Sequence, residues 1–279
     1  MSKTLLAVLA HPDDESYGIG GTLARYAAEG VDVHVAIATD GAAGSVAEGY
    51  EHERERLAEV RTHELAAAAK ILGVTTHSLG YRDSGYIDDP ANQHPAALIQ
   101  ADEQEAAGRV VRLIRELRPQ VVITHDETGG YYHPDHIYCH KITMAAFQAA
   151  ADPQAYPDIG PGPHQAERLY CTALSRRWIT FFSRLMRLRG QDPTRIGRNQ
   201  DIDITRLGVP PEKIHARVNY RPYWDAKRLA SAEHGSQGGG TTFLRFFPRW
   251  LQKLLFATET YVRVYPPAPN GHREKDLFG

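Results

Sequence analysis

Cysteine is scarce: Cys139 and Cys171 are the only two in 279 residues, and they form no CxxC pair. That excludes a disulfide framework and a thiolate zinc ribbon, so both read as buried structural thiols, and a reducing, cytoplasmic setting fits. Long apolar runs are missing as well, and no stretch approaches the ~20 residues of a membrane span. The apolar start, Leu5 to Ala10, is broken at once by His11 to Glu15, which leaves it too short for a secretory signal segment. An excess of one charge is also lacking, since 32 Lys+Arg stand against 34 Asp+Glu for a formal net charge of −2. Without a basic field to hold a phosphate backbone, no nucleic-acid partner is expected.

What is present is a 42% hydrophobic composition, enough at this length for a full core. Apolar, β-branched segments alternate with helical patterns: strands at 4 to 10, 31 to 39, 76 to 80, 120 to 125 and 168 to 174, and helices near 19 to 29, 52 to 72, 102 to 117 and 135 to 150. The pattern predicts an α/β fold, a Rossmann-like, mostly parallel sheet covered by helices. Gly73 and Pro119 stand where helices should stop. A breaker-rich loop, Pro153 to Pro163, precedes the last of these strands. We therefore expect a site-bearing core at 1–175 and a C-terminal helical and strand extension at 176–279, packed on the core as one unit. In that extension Arg176 to Arg189 is a basic, apolar helix whose character Phe243 to Phe256 repeats. An intramolecular lid or a contact between copies in a homo-oligomer is the preferred reading, and contact with a membrane surface is the weaker one. Ile214 to Asn219 and Thr260 to Tyr265 read as closing strands, with a helix from Pro222 to Ser231 between them.

Two clusters carry the chemistry: His11-Pro12-Asp13-Asp14-Glu15 and His133-Pro134-Asp135-His136. Each follows an apolar strand, so both belong at the edge where a parallel sheet gathers its functional loops. Their outer residues lie three apart, a spacing that puts two side chains on one face of a helical turn. Imidazole with carboxylate is ligand chemistry for a divalent transition metal. Either string alone could simply be a capped helix start, with Pro in the first turn. Both together at two strand ends, with Gly129-Gly130 permitting close backbone approach, point to a metal site.

The strings Ala10 to Glu15 and Gly130-Tyr131-Tyr132-His133-Pro134-Asp135-His136 resemble the two signatures of the PIG-L/LmbE-like zinc-dependent N-deacetylases. This family includes the sugar deacetylase of GPI-anchor synthesis and enzymes of the mycothiol and bacillithiol pathways. The likeness runs from Lys3 to about Thr172, with an echo at His234 to Gln237, and residues 176 to 215 match nothing assignable. It implies an N-deacetylase acting on the linear amide of an N-acetylglucosamine-like substrate. It assigns His11, Asp14 and His136 to a zinc ion, a His₂Asp set that leaves an open position and that Fe²⁺ could also occupy. Asp13, beside a ligand, is the candidate general base, as in the family. His133 can face the same cavity, where a protonated imidazole would stabilise an oxyanion. Asp135 is expected to orient an imidazole. By resemblance Tyr131 points a phenol at the substrate carbonyl, and Arg61 and Asp83 contact the sugar.

The residues leave alternatives open. Glu15 either supports the ligands from behind or makes a surface ion pair. Arg61 alone also reads as a solvated helix residue, and His234 and Gln237 either reach the cleft or form a polar cluster at a helix end. His52, His63, His77 and His125 default to surface or hydrogen-bonded histidines. Gly18-Ile19-Gly20-Gly21 with Asp40 imitates a dinucleotide-binding oxidoreductase, but the glycines come too late after the strand and Leu23 takes the third position. Within the family, an amidase cleaving thiol S-conjugates is the alternative to a deacetylase. The partner is then a small N-acetyl amino sugar or a thiol–sugar conjugate. We expect a pocket beyond the carbonyl that admits only a methyl group, walled by residues from 176 to 215 and from His234 to Gln237.

Overall fold

The computed structural model describes residues 3–196, 200, 202–240 and 248–279. The strands are β1 (Thr4–Leu9), β2 (Asp32–Thr39), β3 (Thr75–Tyr81), β4 (Val121–Thr124), β5 (Arg168–Thr172), β6 (Ala216–Asn219) and β7 (Thr258–Tyr265). The helices are α1 (Asp14–Tyr17), α2 (Gly20–Ala28), α3 (Leu57–Leu72), α4 (Glu103–Leu117), α5 (Gly129–Tyr132), α6 (Pro134–Ala151), α7 (Arg176–Leu188), α8 (Trp224–Glu233) and α9 (Arg249–Phe256).

β1 shows why the core forms where it does. Leu5, Ala7 and Leu9 face Leu23, Ala68 and Leu72 of α2 and α3, while Leu6 and Val8 face Val110, Ile114 and Ile142 of α4 and α6. A strand covered on both faces is apolar throughout rather than alternating, and each fully buried leucine contributes roughly 1.5–3 kcal/mol. α3 ends as its sequence predicts, with Gly73 at φ 73° and its N–H donating to the Ala69 carbonyl at 2.9 Å. Pro134 stands at the first position of α6, and the His133 side chain caps it by accepting from the Asp135 N–H.

The sheet order is β3-β2-β1-β4-β5-β7-β6. The first five strands pair in parallel, while β7 pairs antiparallel with both β5 and β6. The C-terminal strands thus extend the sheet begun by the N-terminal ones. The chain leaves β1 toward β2 and β3, then crosses back to place β4 on β1's other side. That reversal opens a crevice beyond the carboxyl ends of β1 and β4, the place where α/β sheets bind ligands. Both acid and imidazole clusters begin at this point. The expected repeat of α7-like character from Phe243 to Phe256 lies partly outside the described residues; its described part forms α9.

Candidate metal centre and active site

The three-residue spacing does not work as a helical turn in the first cluster. His11 precedes α1, and Asp13 stands at φ 134° and ψ −26°, a strained left-sided conformation for a residue with a side chain. The loop bends because its own carboxylates hold it: the Asp14 Oδ2 accepts from the His11 N–H at 2.8 Å, and Glu15 Oε2 from the Asp13 N–H at 2.9 Å. His133 is likewise an extended cap residue, with His136 one turn inside α6.

His11 Nδ1 lies 3.1 Å from His136 Nε2, Asp14 Oδ1 lies 3.4 Å from His136 Nε2, and Asp14 Oδ2 lies 3.7 Å from His11 Nδ1. The outer nitrogens are committed elsewhere. His136 Nδ1–H donates to the Gly129 carbonyl at 3.1 Å, and His11 Nε2–H donates to Asp135 Oδ2 at 3.2 Å with Asp83 Oδ1 3.5 Å away. With those outer bonds made, the inner nitrogens meet at hydrogen-bond distance beside the Asp14 carboxylate, a position that either a proton on His11 or a metal ion satisfies. Burial works against charge on His11, but Asp83, Asp135 and Asp14 outweigh it and raise its proton affinity well above the usual value. Burial keeps His136 neutral. Two imidazoles and one carboxylate with outer partners in place fit a divalent metal. Gly129, at φ 61°, makes the approach possible, because a Cβ there would stand 2.7 Å from that of His136.

Asp13 sits beside this triad with Oδ2 accepting from the Arg61 guanidinium at 2.9 Å. Burial pushes its carboxyl up to about 7, with Arg61 pulling the other way. Arg61 is 2% exposed and also donates to the carbonyls of Pro12 at 2.6 Å and Gly41 at 3.0 Å. It is thus no solvated helix residue; it ties two loops, that of Pro12 and Asp13 and that of Gly41, to α3. Glu15 is fully buried, and its Oε1 pairs with His234 Nε2 at 2.7 Å, which removes the surface ion-pair reading. His133 departs from expectation in charge: burial and the neighbouring His11 push it down to about 3, and Nδ1 accepts the Asp135 N–H, so the neutral ring carries its proton on Nε2. The Tyr131 phenol is neutral, held well above the ordinary range by burial.

Two cavities meet at this site. A polar one of about 220 Å³ is lined by His11, Arg61, Asp83, Asp89, His133 and Gln237, among others. A larger one of about 650 Å³ takes in Asp14, His125 and His136 and runs out between Trp178, Phe182 and Phe256. Asp13 and Tyr131 line both. Arg61 and Asp83 reach the polar cavity, though Asp83 also braces the loop by accepting from Gly85 N at 2.8 Å and Ala43 N at 3.2 Å. His234 does not line either cavity; it is locked behind Glu15. The 176 to 215 segment walls the larger cavity through Trp178, Ile179 and Phe182, while Gln237 lines the polar one.

His125 is the residue that spacing arguments missed. It is buried, its ring stacks on His136 with centroids 4.0 Å apart, and its Nε2 accepts the Ala10 N–H at 3.0 Å and lies 3.5 Å from Asp14 Oδ2. The signal lay in strand register rather than residue spacing: Val8 pairs with Thr124, so the residues after β4 lie beside those after β1.

A parallel α/β sheet with a cation-shaped His₂Asp cluster, a buried carboxylate and a neutral phenol at its switch point defines a class of hydrolytic α/β enzyme. Residues 6–147 match the PIG-L family, described as GlcNAc-PI de-N-acetylase. A 1D-myo-inositol 2-acetamido-2-deoxy-alpha-D-glucopyranoside deacetylase from Thermobifida fusca is 37% identical over 99% of each chain. One of the same description from Streptomyces avermitilis is 39% identical over 99% of this chain and 96% of its own. Among solved structures, the conserved protein TT1542 from Thermus thermophilus is 25% identical with TM-score 0.60, each chain 95% covered. N,N'-diacetylchitobiose deacetylase from Pyrococcus horikoshii, at 19% identity, shares the fold with TM-score 0.62 over 94% of this chain and 84% of its own. The chain belongs to the PIG-L family.

Proposed function

We propose that this protein removes the N-acetyl group from an N-acetylglucosamine-like substrate, specifically a glycoside of inositol such as its curated relatives are named for. The observation that carries the reading is the convergence of His11, Asp14 and His136 beside a buried Asp13. Zinc is the metal proposed for that triad, where it would supply Lewis acidity toward a carbonyl oxygen and acidify a water. Asp13, held by Arg61, takes the proton that water loses as its oxygen bonds to the carbonyl carbon, and passes it to nitrogen as the C–N bond breaks. The Tyr131 phenol and the neutral His133 Nε2–H are donors for the developing oxyanion. Glu15 and Asp135 hold the loop and the His11 ring. Arg61, Asp83 and Gln237 frame the polar cavity for the sugar, and His234 acts at a distance through Glu15. Among the described residues no helix is long and apolar enough to cross a membrane, and the partner is a small amino-sugar conjugate.

The test is acetate release from the inositol glycoside of N-acetylglucosamine by chelator-stripped protein before and after addition of Zn²⁺ or Fe²⁺. Restoration by a stoichiometric ion is expected. A metal-loaded protein that releases no acetate from any N-acetylglucosaminide would overturn the reading.

A further inference from the structure

The two cavities differ in chemistry as well as size. The 220 Å³ side offers Ser45, Arg61, Asp83, Asp89 and Gln237, a set of donors and acceptors suited to a ring of hydroxyls. The 650 Å³ side offers Ile19, Leu174, Trp178, Ile179, Phe182 and Phe256. Its volume falls within the ~300–1,000 Å³ that enclose a drug-sized ligand, far beyond the need of one methyl group. The ligand triad forms the partition: His11 faces the polar side, Asp14 and His136 the apolar one.

A secondary amide is planar and trans, so its nitrogen substituent and its acyl carbon chain leave in opposite directions. With the reacting carbonyl at the partition and the sugar on the polar side, the acyl chain must enter the apolar cavity. Resting on the amide-hydrolase reading above, we propose that this cavity is an acyl subsite, and that the protein cleaves amino sugars bearing long apolar N-acyl chains.

The charged side chains lining the larger cavity are Asp13 and Asp14 beside the partition and Asp126, Arg217, Lys227 and Glu259 farther out, and the outer four favour a plain hydrocarbon over a cysteinyl group with its α-ammonium. Asp126 is occupied by the N–H groups of Thr128 and Gly130 and by the Thr128 hydroxyl. Glu259 accepts from Gly21 N at 3.0 Å and Thr22 N at 2.7 Å and pairs with Lys227 at 2.5 Å. Asp126 and Glu259 are thus spent on the protein itself, Lys227 is paired with Glu259, and the Arg217 guanidinium on the same wall would repel an α-ammonium. The aromatic end of the cavity is built by α7 and α9 together, with the Trp178 and Phe256 rings 5.6 Å apart and Trp178 stacked on Phe182 at 5.7 Å.

The experiment compares kcat/KM of the zinc-loaded protein for N-acetyl-, N-butanoyl- and N-octanoylglucosamine, for octyl N-acetyl-β-glucosaminide, and for a cysteinyl amide of glucosamine. Each methylene buried is worth up to about a fourfold gain, so at least a tenfold rise from acetyl to octanoyl is expected. Trp178→Ala and Phe182→Asp should each erase that rise while leaving N-acetyl turnover within about twofold, which also shows that they fold. A steep fall from acetyl to butanoyl in the native protein overturns the proposal. So does a gain confined to the octyl glycoside, which would put the aglycone in the cavity, or faster cleavage of the cysteinyl amide than of the octanoyl one. If no N-acyl sugar is cleaved, the hydrolase reading itself falls; if only N-acetyl is cleaved, that reading stands and the subsite does not.

Discussion

His11 Nδ1 and His136 Nε2 face each other across 3.1 Å, although 125 residues separate them in sequence. Their outer nitrogens bond to Asp135 and to the Gly129 carbonyl, which orients both rings with the remaining nitrogens inward. Two imidazole nitrogens and a carboxylate brought together in a buried site attract positive charge, as a proton shared by the rings or as a metal ion.

Loss of a ligand and loss of the neighbouring base therefore have different signatures. His136→Ala should lower bound metal, read by elemental analysis of the dialysed protein. Asp13→Asn should keep stoichiometric metal while kcat falls by at least ~10². Equal metal content and undiminished turnover in both variants would remove these two residues from their assigned roles.

The pH profile follows from the same geometry. Asp13 works as a base only when ionised, and burial pushes its carboxyl up to about 7 against the pull of Arg61. Activity should thus fall as pH drops through Asp13's pKa, and a bound cation moves that limb below 7. Replacing Arg61 with Met removes the opposing charge, so the acidic limb of kcat/KM should move to higher pH. His133, pushed down to about 3, is neutral throughout the working range. His133→Ala should lower kcat about tenfold or more without moving any limb. A basic limb that disappears in this variant would show that the ring is charged after all.

The sequence made the fold legible because β1 to β5 alternate with helices whose stops, such as Gly73, are local events. It made the meeting of the two clusters legible because both follow strands, though the structure also groups His133 with His11 and His136, and His125 with Asp14 and His136. What it hid depends on three-dimensional neighbours. Arg61 reads as a surface helix residue until the Pro12–Asp13 loop and the Gly41 loop close over it. His125 reads as isolated until register sets it beside Ala10. The charge of His133 is decided by burial, which no spacing reports. The size of the apolar cavity depends on how α7 and α9 meet, and those segments carry the least motif-like sequence in the chain. A helix cap and a place in the cavity wall are also compatible: His133 caps α6 while facing the polar cavity.

The ion pair of Glu15 with His234 joins the loop bearing Asp13 to the C-terminal part, and both side chains are fully buried. Burial alone would discharge His234, but Glu15 outweighs it and holds the imidazole above its ordinary value. The sign of the linkage follows: a folded pKa above the unfolded one stabilises fully at pH below about 6.5 and loses that stabilisation as pH rises through the folded value. Glu15→Ala strands the imidazole and frees the Asp13 N–H, so unfolding free energy at pH 6 should fall by about 3–5 kcal/mol. Denaturant titrations of the native protein and of Glu15→Ala at pH 6 and pH 9 read the effect, and the gap between them should narrow at the higher pH. Because Glu15 also fixes the Asp13 backbone, Glu15→Gln, which keeps an acceptor, should recover more of kcat than of stability. A gap that widens with pH, or a Glu15→Ala protein as stable as the native one, would show that the pair contributes nothing to holding the two parts together.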